Sequence, residues 1–165
     1  MTRPGLLPLL LALALALATP ALAQTGFGRA QDVGQPVEVT ADSLQVNQAT
    51  GLATFIGNVL IGQGEMRLAA DRVTVTYAAN NPQKISKLHA EGNVTLASGQ
   101  DAAEAKAADY DVASGNVVLT GDVLLTQGAS VLSGQSVTVN LASGTAQAQG
   151  RVRSVLQPGS ANAGN

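Results

Sequence analysis

The sequence of 165 residues contains no cysteine and no tryptophan, and it has only two tyrosines and two phenylalanines. Without cysteine, the chain can form neither a disulfide framework nor a thiolate metal site. Charged residues make up 12% of the chain, the formal net charge is −2, and lysine and arginine do not cluster. The basic patch typical of a nucleic-acid-binding protein is therefore missing. We expect the fold to depend on backbone pairing and on the packing of small apolar side chains.

Residues suited to catalysis are also scarce. His89 is the only histidine, which we expect on the surface or at a strand edge, because no second histidine exists to share a metal. Asp109 and Asp111 could form an acid pair, but they flank Tyr110 in an alternating segment, which is typical of two solvent-facing acids beside an inward tyrosine. No nucleotide-binding loop and no nucleophile elbow occurs. We predict a protein that is not an enzyme and that binds no cofactor or metal.

The N-terminus has the features of a secretory signal peptide over residues 1–23. Arg3 supplies a positive charge, residues 6–18 form an apolar core, and residues 21–23 read Ala-Leu-Ala, a small-x-small cleavage site. A transmembrane anchor would need about 20 apolar residues, and proline interrupts this stretch. We expect Sec-dependent export with cleavage after Ala23.

The rest of the chain divides into three parts by composition. Residues 24–35 form a short, glycine-containing polar leader, which we expect to be flexible. Residues 36–158 alternate apolar and polar side chains with a period of two, which predicts one β domain. Residues 159–165 are small and polar, and we expect this tail to be disordered.

A Gly-X pair recurs inside the apolar runs. Gly57-Asn58, Gly92-Asn93 and Gly121-Asp122 each interrupt an alternating segment that then resumes, and Gly150-Arg151 repeats the arrangement. Gly-Asn and Gly-Asp favour positive φ, so each pair can form a bulge or a tight corner. The spacings of 29 to 35 residues predict a repetitive antiparallel β structure.

The β pattern is also duplicated within the chain. A shift of 64 residues aligns residues 49–77 with residues 113–141 without a gap. The stretch 102–108 has strong helix propensity, but the repeat places it at the position of residues 41–44. We therefore predict a strand there.

Four segments, in order behind a signal peptide, carry a family resemblance. They are Thr54-Phe55-Ile56-Gly57-Asn58-Val59 with Gln63-Gly64, Ala70-Asp71-Arg72-Val73-Thr74-Val75, Val118-Leu119-Thr120-Gly121-Asp122-Val123, and Arg151-Val152 with Val155-Leu156-Gln157-Pro158. Together they resemble the OstA-like domain family of periplasmic lipopolysaccharide-transport proteins. The resemblance implies an all-β fold, namely an incomplete antiparallel β-jellyroll of two twisted sheets, open along one side. A groove between the sheets would hold the acyl chains of lipopolysaccharide.

The resemblance also implies positions that contact the lipid. They fall on Val37 and Val39 in the first strand and on Val94, Tyr110 and Val112 in the middle strands, where Val94 is smaller than the aromatic residue of many relatives. The alternation adds further inward positions. The predicted lipid contacts are Val37, Val39, Phe55, Val59, Ile61, Leu68, Val73, Val75, Val94, Tyr110 and Val112.

The family further implies a bridge of domains that pair end to end across the periplasm. A bitopic inner-membrane component would pair at one sheet edge, the outer-membrane translocon at the other, and further copies of the chain with each other. Unpaired N–H and C=O groups at a sheet edge favour such strand addition. The predicted edge strands contain Val37, Glu38, Val39, Val152, Arg153, Ser154 and Val155.

Two alternatives remain open from the sequence. Repeated Gly-X turns also fit a β-solenoid structural or adhesin-type protein, although a solenoid would need a shorter and more uniform period than 64 residues. The chain could also be the soluble domain of another component of the same bridge, which a retained N-terminal helix would indicate.

Overall fold

A computed structural model describes residues 27–156. The predicted signal peptide with its cleavage site, the start of the leader and the C-terminal tail lie outside the described residues. Within residues 27–156, no helix is long and apolar enough to cross a membrane. Ten strands are present in this part of the chain: β1 (Glu38–Thr40), β2 (Ser43–Asn47), β3 (Leu52–Gln63), β4 (Met66–Ala78), β5 (Asn81–Ser98), β6 (Asp101–Asp111), β7 (Asn116–Gln127), β8 (Ser130–Asn140), β9 (Thr145–Gln149) and β10 (Arg153–Val155).

The strands form one continuous antiparallel sheet in the order β1-β3-β4-β5-β6-β7-β8-β10, with β2 also on β3 and β9 also on β8. Because the first and last strands do not pair, the sheet is open rather than closed into a barrel. The predicted all-β fold is confirmed, and this meander of long strands does not favour a solenoid. Residues 102–108 lie within β6, where pairing with β5 and β7 outweighs their helix propensity. The structure agrees with the duplication as well, because β7 begins and ends 64 residues after β3.

One row of corners crosses the whole sheet. Register shifts interrupt the ladders at Gly57-Asn58 in β3, at Gly92-Asn93 in β5 and at Gly121-Asp122 in β7. The same row separates β1 from β2, and at Gly150-Arg151 it separates β9 from β10. The second residue of each pair has a φ between 45° and 49°, a left-handed conformation that asparagine and aspartate tolerate better than most residues. The recurring pairs of the sequence are thus corners within strands.

Side chains from the neighbouring, earlier segment of the chain support these corners. The glycine leaves room for a neighbouring side chain, and a Cβ on Gly121 would lie only 2.7 Å from the Cβ of Lys106. The next residue then forms a polar contact with that side chain in three of the corners. The contacts are Asn58 with Asp42 at 2.8 Å, Asn93 with Asp71 at 2.8 Å, and Asp122 with Lys106 at 2.5 Å.

The corner row divides the sheet into two halves that pack face to face. Sheet 1 comprises residues 38–40, 59–63, 66–69, 94–98, 101–104, 123–127, 130–134 and 153–155. Sheet 2 comprises residues 43–47, 52–56, 72–76, 87–91, 107–111, 116–120, 136–140 and 145–149. Buried valine, leucine, isoleucine and alanine side chains from both halves form a single apolar core.

The side opposite the corner row is bordered by two sets of turns. We call the β3–β4, β5–β6 and β7–β8 turns rim 1, because they end sheet 1. The β2–β3, β4–β5, β6–β7 and β8–β9 turns end sheet 2 and form rim 2. The sheets are joined at the corners, so any opening between them lies along these rims.

Residues 27–35, here named the strap, lie between the two rims. The Gln31 N–H donates to the Leu141 carbonyl of rim 2 at 2.9 Å, and the Gly28 N–H donates to Asp101 Oδ2 of rim 1 at 2.6 Å. Phe27 is completely buried in the core. Within the leader predicted over residues 24–35, the described residues 27–35 thus bury an apolar ring and have hydrogen-bond partners on both rims. The flexibility of this leader stays a prediction.

The corner row gives a first prediction. Gly121→Ala should reduce the free energy of unfolding by about 2–4 kcal/mol, because a positive φ costs about 1–2 kcal/mol for a residue with a Cβ and the clash with Lys106 adds to it. Gly128→Ala is the matched control, since Gly128 also has a positive φ of 55° but a Cβ added there would meet no atom within 4 Å. Urea unfolding of both variants measures the difference, and an equal loss would contradict the packing role of the corner.

Candidate functional site

The predicted lipid contacts all lie on the inner faces of the two sheets or at their rims. Seven of them are fully buried in the core: Val59, Ile61, Leu68, Val73, Val75, Val94 and Tyr110. The other four are partly buried and pack against the core: Val37, Val39, Phe55 and Val112. Their common orientation agrees with the alternation in the sequence. Contact of these residues with a lipid stays a prediction.

The interior between the sheets is closed to solvent in this structure. Ile61, Val73 and Val75 have no exposed surface, and Val59 and Leu68 are 1% exposed. Protein interiors are packed about as densely as organic crystals, so an additional acyl chain cannot enter without displacing something. Binding between the sheets therefore requires the sheets to separate or the strap to leave.

A cleft remains open where the strap meets β1. It has a volume of about 560 Å³, which lies within the range of about 300–1,000 Å³ typical of ligand pockets. Val37, just before β1, and Val112, in the β6–β7 turn of rim 2, both line it, together with Val33 of the strap and Ile85 and Lys84 of β5. Two predicted lipid contacts thus border the same opening, Val37 next to sheet 1 and Val112 next to sheet 2.

A buried polar network joins both sheets to the strap. The hydroxyl of Tyr110 in sheet 2 donates to Gln63 Oε1 in sheet 1. Gln63 Nε2 in turn donates to the carbonyls of Val33 and Gln35 at 2.8 and 2.9 Å. Gln63 is only 3% exposed, so these bonds satisfy a side chain that would otherwise be costly to bury. We call this set the Gln63 network.

The environment of Tyr110 keeps its hydroxyl protonated. Burial, followed by the negative charge of Asp111, raises the pKa of Tyr110 to about 12. The hydroxyl therefore remains a hydrogen-bond donor to Gln63 well into the alkaline range. Sequence reasoning placed Tyr110 inward but missed Gln63; the available signal was the Gln-Gly pair that the duplication repeats at Gln127-Gly128.

His89 lies on the outer face of sheet 2, away from the core. Its ring contacts Asp109 at 2.6 Å and Glu91 at 3.4 Å, and 43% of its side chain is exposed. The hydrogen bond with Asp109 raises the pKa of His89 above its ordinary value. Within residues 27–156, no three histidine, aspartate or glutamate side chains are arranged to hold a metal ion. This position agrees with the surface histidine expected from the sequence.

Both ends of the sheet present short, exposed strands. Glu38, Val39 and residues 153–155 lie in β1 and β10 as predicted, whereas Val37 and Val152 precede these strands. The sequence did not identify β2 and β9 as the corresponding edges of sheet 2. Several large apolar side chains near these edges are exposed: Leu44 and Val46 in β2, Val155 in β10, and Leu156.

Comparison with known proteins identifies the family. The sequence profile described as LptA/(LptD N-terminal domain) LPS transport protein matches residues 38–145. The chain belongs to this family. The lipopolysaccharide export system protein LptA of Escherichia coli (strain K12) is 32% identical over 130 residues, which cover 75% of this chain and 67% of that protein. LptA of Haemophilus influenzae is 30% identical over 153 residues, which cover 86% of this chain and 89% of that protein.

The fold is shared with a solved structure of the same family. The crystal structure of LptH, the LptA homologous periplasmic component of the lipopolysaccharide transport device from Pseudomonas aeruginosa, matches with a TM-score of 0.66. The match covers 77% of this chain and 99% of that chain at 22% sequence identity. It confirms the open OstA-like fold that the sequence motifs predicted.

The Gln63 network gives a second prediction. Tyr110→Phe should reduce the free energy of unfolding at pH 9 by about 1–3 kcal/mol, because it leaves the buried Gln63 oxygen without its donor. The pKa of Tyr110 is raised to about 12 in the folded state, compared with about 10 in the unfolded chain. The contribution of the Tyr110 hydroxyl to the free energy of unfolding is therefore complete below about pH 10 and is lost as the pH rises through the folded-state pKa. The difference between wild type and variant should therefore narrow between about pH 10 and 12.

Denaturant unfolding at a series of pH values measures this difference. Tyr77→Phe is the matched control, because Tyr77 is only partly buried and takes no part in the Gln63 network. A difference between wild type and Tyr110→Phe that stays constant up to pH 12 would contradict the assignment.

Proposed function

We propose that this protein is a periplasmic conduit that shields the acyl chains of lipopolysaccharide between its two sheets during outer-membrane assembly. The observation that carries the proposal is the continuous apolar interior, formed by both sheets and bordered by two rims, in a member of a lipopolysaccharide-transport family. The predicted lipid contacts lie on this interior. Val37 and Val112 also border the open cleft at the rims.

The size of the hydrophobic effect explains why a conduit is needed. Each methylene group removed from water contributes about 0.8 kcal/mol, so exposing an acyl chain of a dozen carbons costs on the order of 10 kcal/mol. A lipid with several such chains does not cross an aqueous compartment unshielded. Contacts between valine, leucine and alanine side chains and an acyl chain are non-directional, which permits sliding along the interior. Direction would then come from an energy source elsewhere in the transport system.

The sheet ends support assembly of several domains into a bridge. β1 and β2 border sheets 1 and 2 at one end, and β10 and β9 border the same two sheets at the other. A strand added at either end would extend both sheets together, so the apolar interior would continue into the neighbouring domain. Strand addition satisfies the free backbone groups of an edge and also covers exposed apolar side chains such as Leu44 and Val155. We propose an inner-membrane component at one end, the outer-membrane translocon at the other and further copies between them.

Photo-crosslinking tests the lipid path. A photoreactive amino acid at Val39 or Val112 should form a covalent adduct with lipopolysaccharide in cells, because both side chains face the apolar interior. Glu38 is the matched control, since it precedes Val39 in β1 and is exposed. Adducts resolved by gel electrophoresis and detected with an antibody to lipopolysaccharide provide the measurement. Labelling at Glu38 without labelling at Val39 and Val112 would refute the inner-face path.

Sedimentation velocity tests the end-to-end assembly. Val155→Lys should raise the protein concentration needed for self-association at least tenfold, because a lysine in an edge strand disfavours pairing with another strand. Ala79→Lys is the matched control, since Ala79 is exposed in the β4–β5 turn, in the middle of the sheet order. Equal effects of the two substitutions, or none, would count against assembly through β10.

A further inference from the structure

We propose that the strap is a displaceable cover that closes the lipid path in the empty protein and leaves it when an acyl chain of lipopolysaccharide binds. This inference rests on the proposed function and adds to it the step by which the lipid gains access. Three features of the strap support it: its contacts with both rims, the burial of Phe27, and the small number of its backbone bonds to the sheets.

The strap connects the two rims directly. On rim 1, Gln31 Nε2 donates to Ser98 Oγ at 2.5 Å, and the Met66 N–H donates to Gln31 Oε1 at 3.2 Å. On rim 2, the turn at Gly144 approaches so closely that a Cβ there would lie 3.2 Å from the Ala30 nitrogen and 3.3 Å from the Gly28 carbonyl. With the strap in this position, the rims cannot separate without breaking these contacts.

Phe27 occupies apolar space inside the molecule. Its ring is completely buried and belongs to the same core as the inward residues of both sheets. The rest of that core consists almost entirely of aliphatic side chains. The nine-residue strap thus places an aromatic ring in a core that otherwise contains few of them. The ring supplies the kind of non-directional contact that an acyl chain would supply. An acyl chain could therefore replace it without leaving the apolar surface exposed to water.

The strap is held by contacts that can be released separately from the sheets. Residues 27–35 form no strand, and their one backbone–backbone hydrogen bond to the sheets is that of Gln31 with Leu141. The other bonds involve side chains at the rims. Segments with few backbone bonds to the rest of a structure open with lower free energies than its central strands. The cleft at Val33 and Val37 borders the strap, and an acyl chain entering there would meet its C-terminal end first.

A reversible disulfide can lock the strap. The Val33 Cγ1 atom lies 2.9 Å from the position that a Cβ would take on Gly115 of rim 2. An S–S bond of about 2.04 Å places each sulfur about 3 Å from the opposite Cβ, so the distance available to the double variant Val33→Cys/Gly115→Cys agrees with a disulfide. Gly115 has a positive φ of 70°, so a cysteine there strains the backbone. The chain contains no cysteine, so this pair would be the only one present. The reduced form of the same protein is its own control.

Binding of fluorescently labelled deep-rough lipopolysaccharide to the oxidised and reduced forms is the test. The oxidised form should bind at least tenfold more weakly than the reduced form, and the reductant should restore binding. Equal binding by the two forms would overturn the strap proposal while leaving the proposed function in place. If wild-type protein binds no lipopolysaccharide, the proposed function fails and the strap as a lipid cover fails with it.

A single-cysteine variant covers the case in which the double variant does not fold. The thiol of Val33→Cys should react with a maleimide several-fold faster when lipopolysaccharide is added, because the strap leaves its partly buried position. Ala79→Cys, exposed on rim 2 and outside the strap, should react at an unchanged rate. A Val33→Cys rate that does not change while wild-type protein binds the lipid would overturn the proposal.

Discussion

The burial of small apolar side chains between sheets 1 and 2 is the interaction on which the rest of the structure depends. The chain has no disulfide to restrain it, and its four aromatic residues can contribute only a small share of the core. Each fully buried valine or leucine contributes about 1.5–3 kcal/mol, and the core contains many of them. The corner row makes this burial possible, because it lets one meandering sheet fold so that its own halves face each other.

The same surface would serve two purposes that compete. In the empty protein the inner faces of the two sheets pack against each other. In a lipid conduit the same faces have to contact an acyl chain instead. The Gln63 network and the strap both lie at the rims, farthest from the corners, where the two sheets would have to separate to admit a lipid. Because the corners join the sheets covalently, the rims are the natural place for separation. A conduit that closes when empty would also avoid exposing an apolar groove to water.

Local patterns were enough to predict the strands, the corners and the inward faces. Alternation identified Val73 and Val75 as inward. The duplication correctly predicted a strand over residues 102–108 in spite of their helix propensity. The strap could not be predicted, because the burial of Phe27 depends on rims that are brought together from distant parts of the chain. Gln63 was missed for the same reason, since its partners in the strap and in β6 lie 28 to 47 residues away. The polar sequence around Phe27 predicted a mobile leader and gave no sign that the ring of Phe27 is buried.

Our central proposal is that the two sheets hold a lipid between them, and that their rims move apart when the strap leaves. Spin labels on cysteines introduced at Ala129 of rim 1 and Ala142 of rim 2, both exposed, allow the distance between the rims to be measured by double electron–electron resonance. Our account predicts that adding lipopolysaccharide lengthens and broadens this distance. A distance that is the same in the empty and the lipid-bound protein would contradict it.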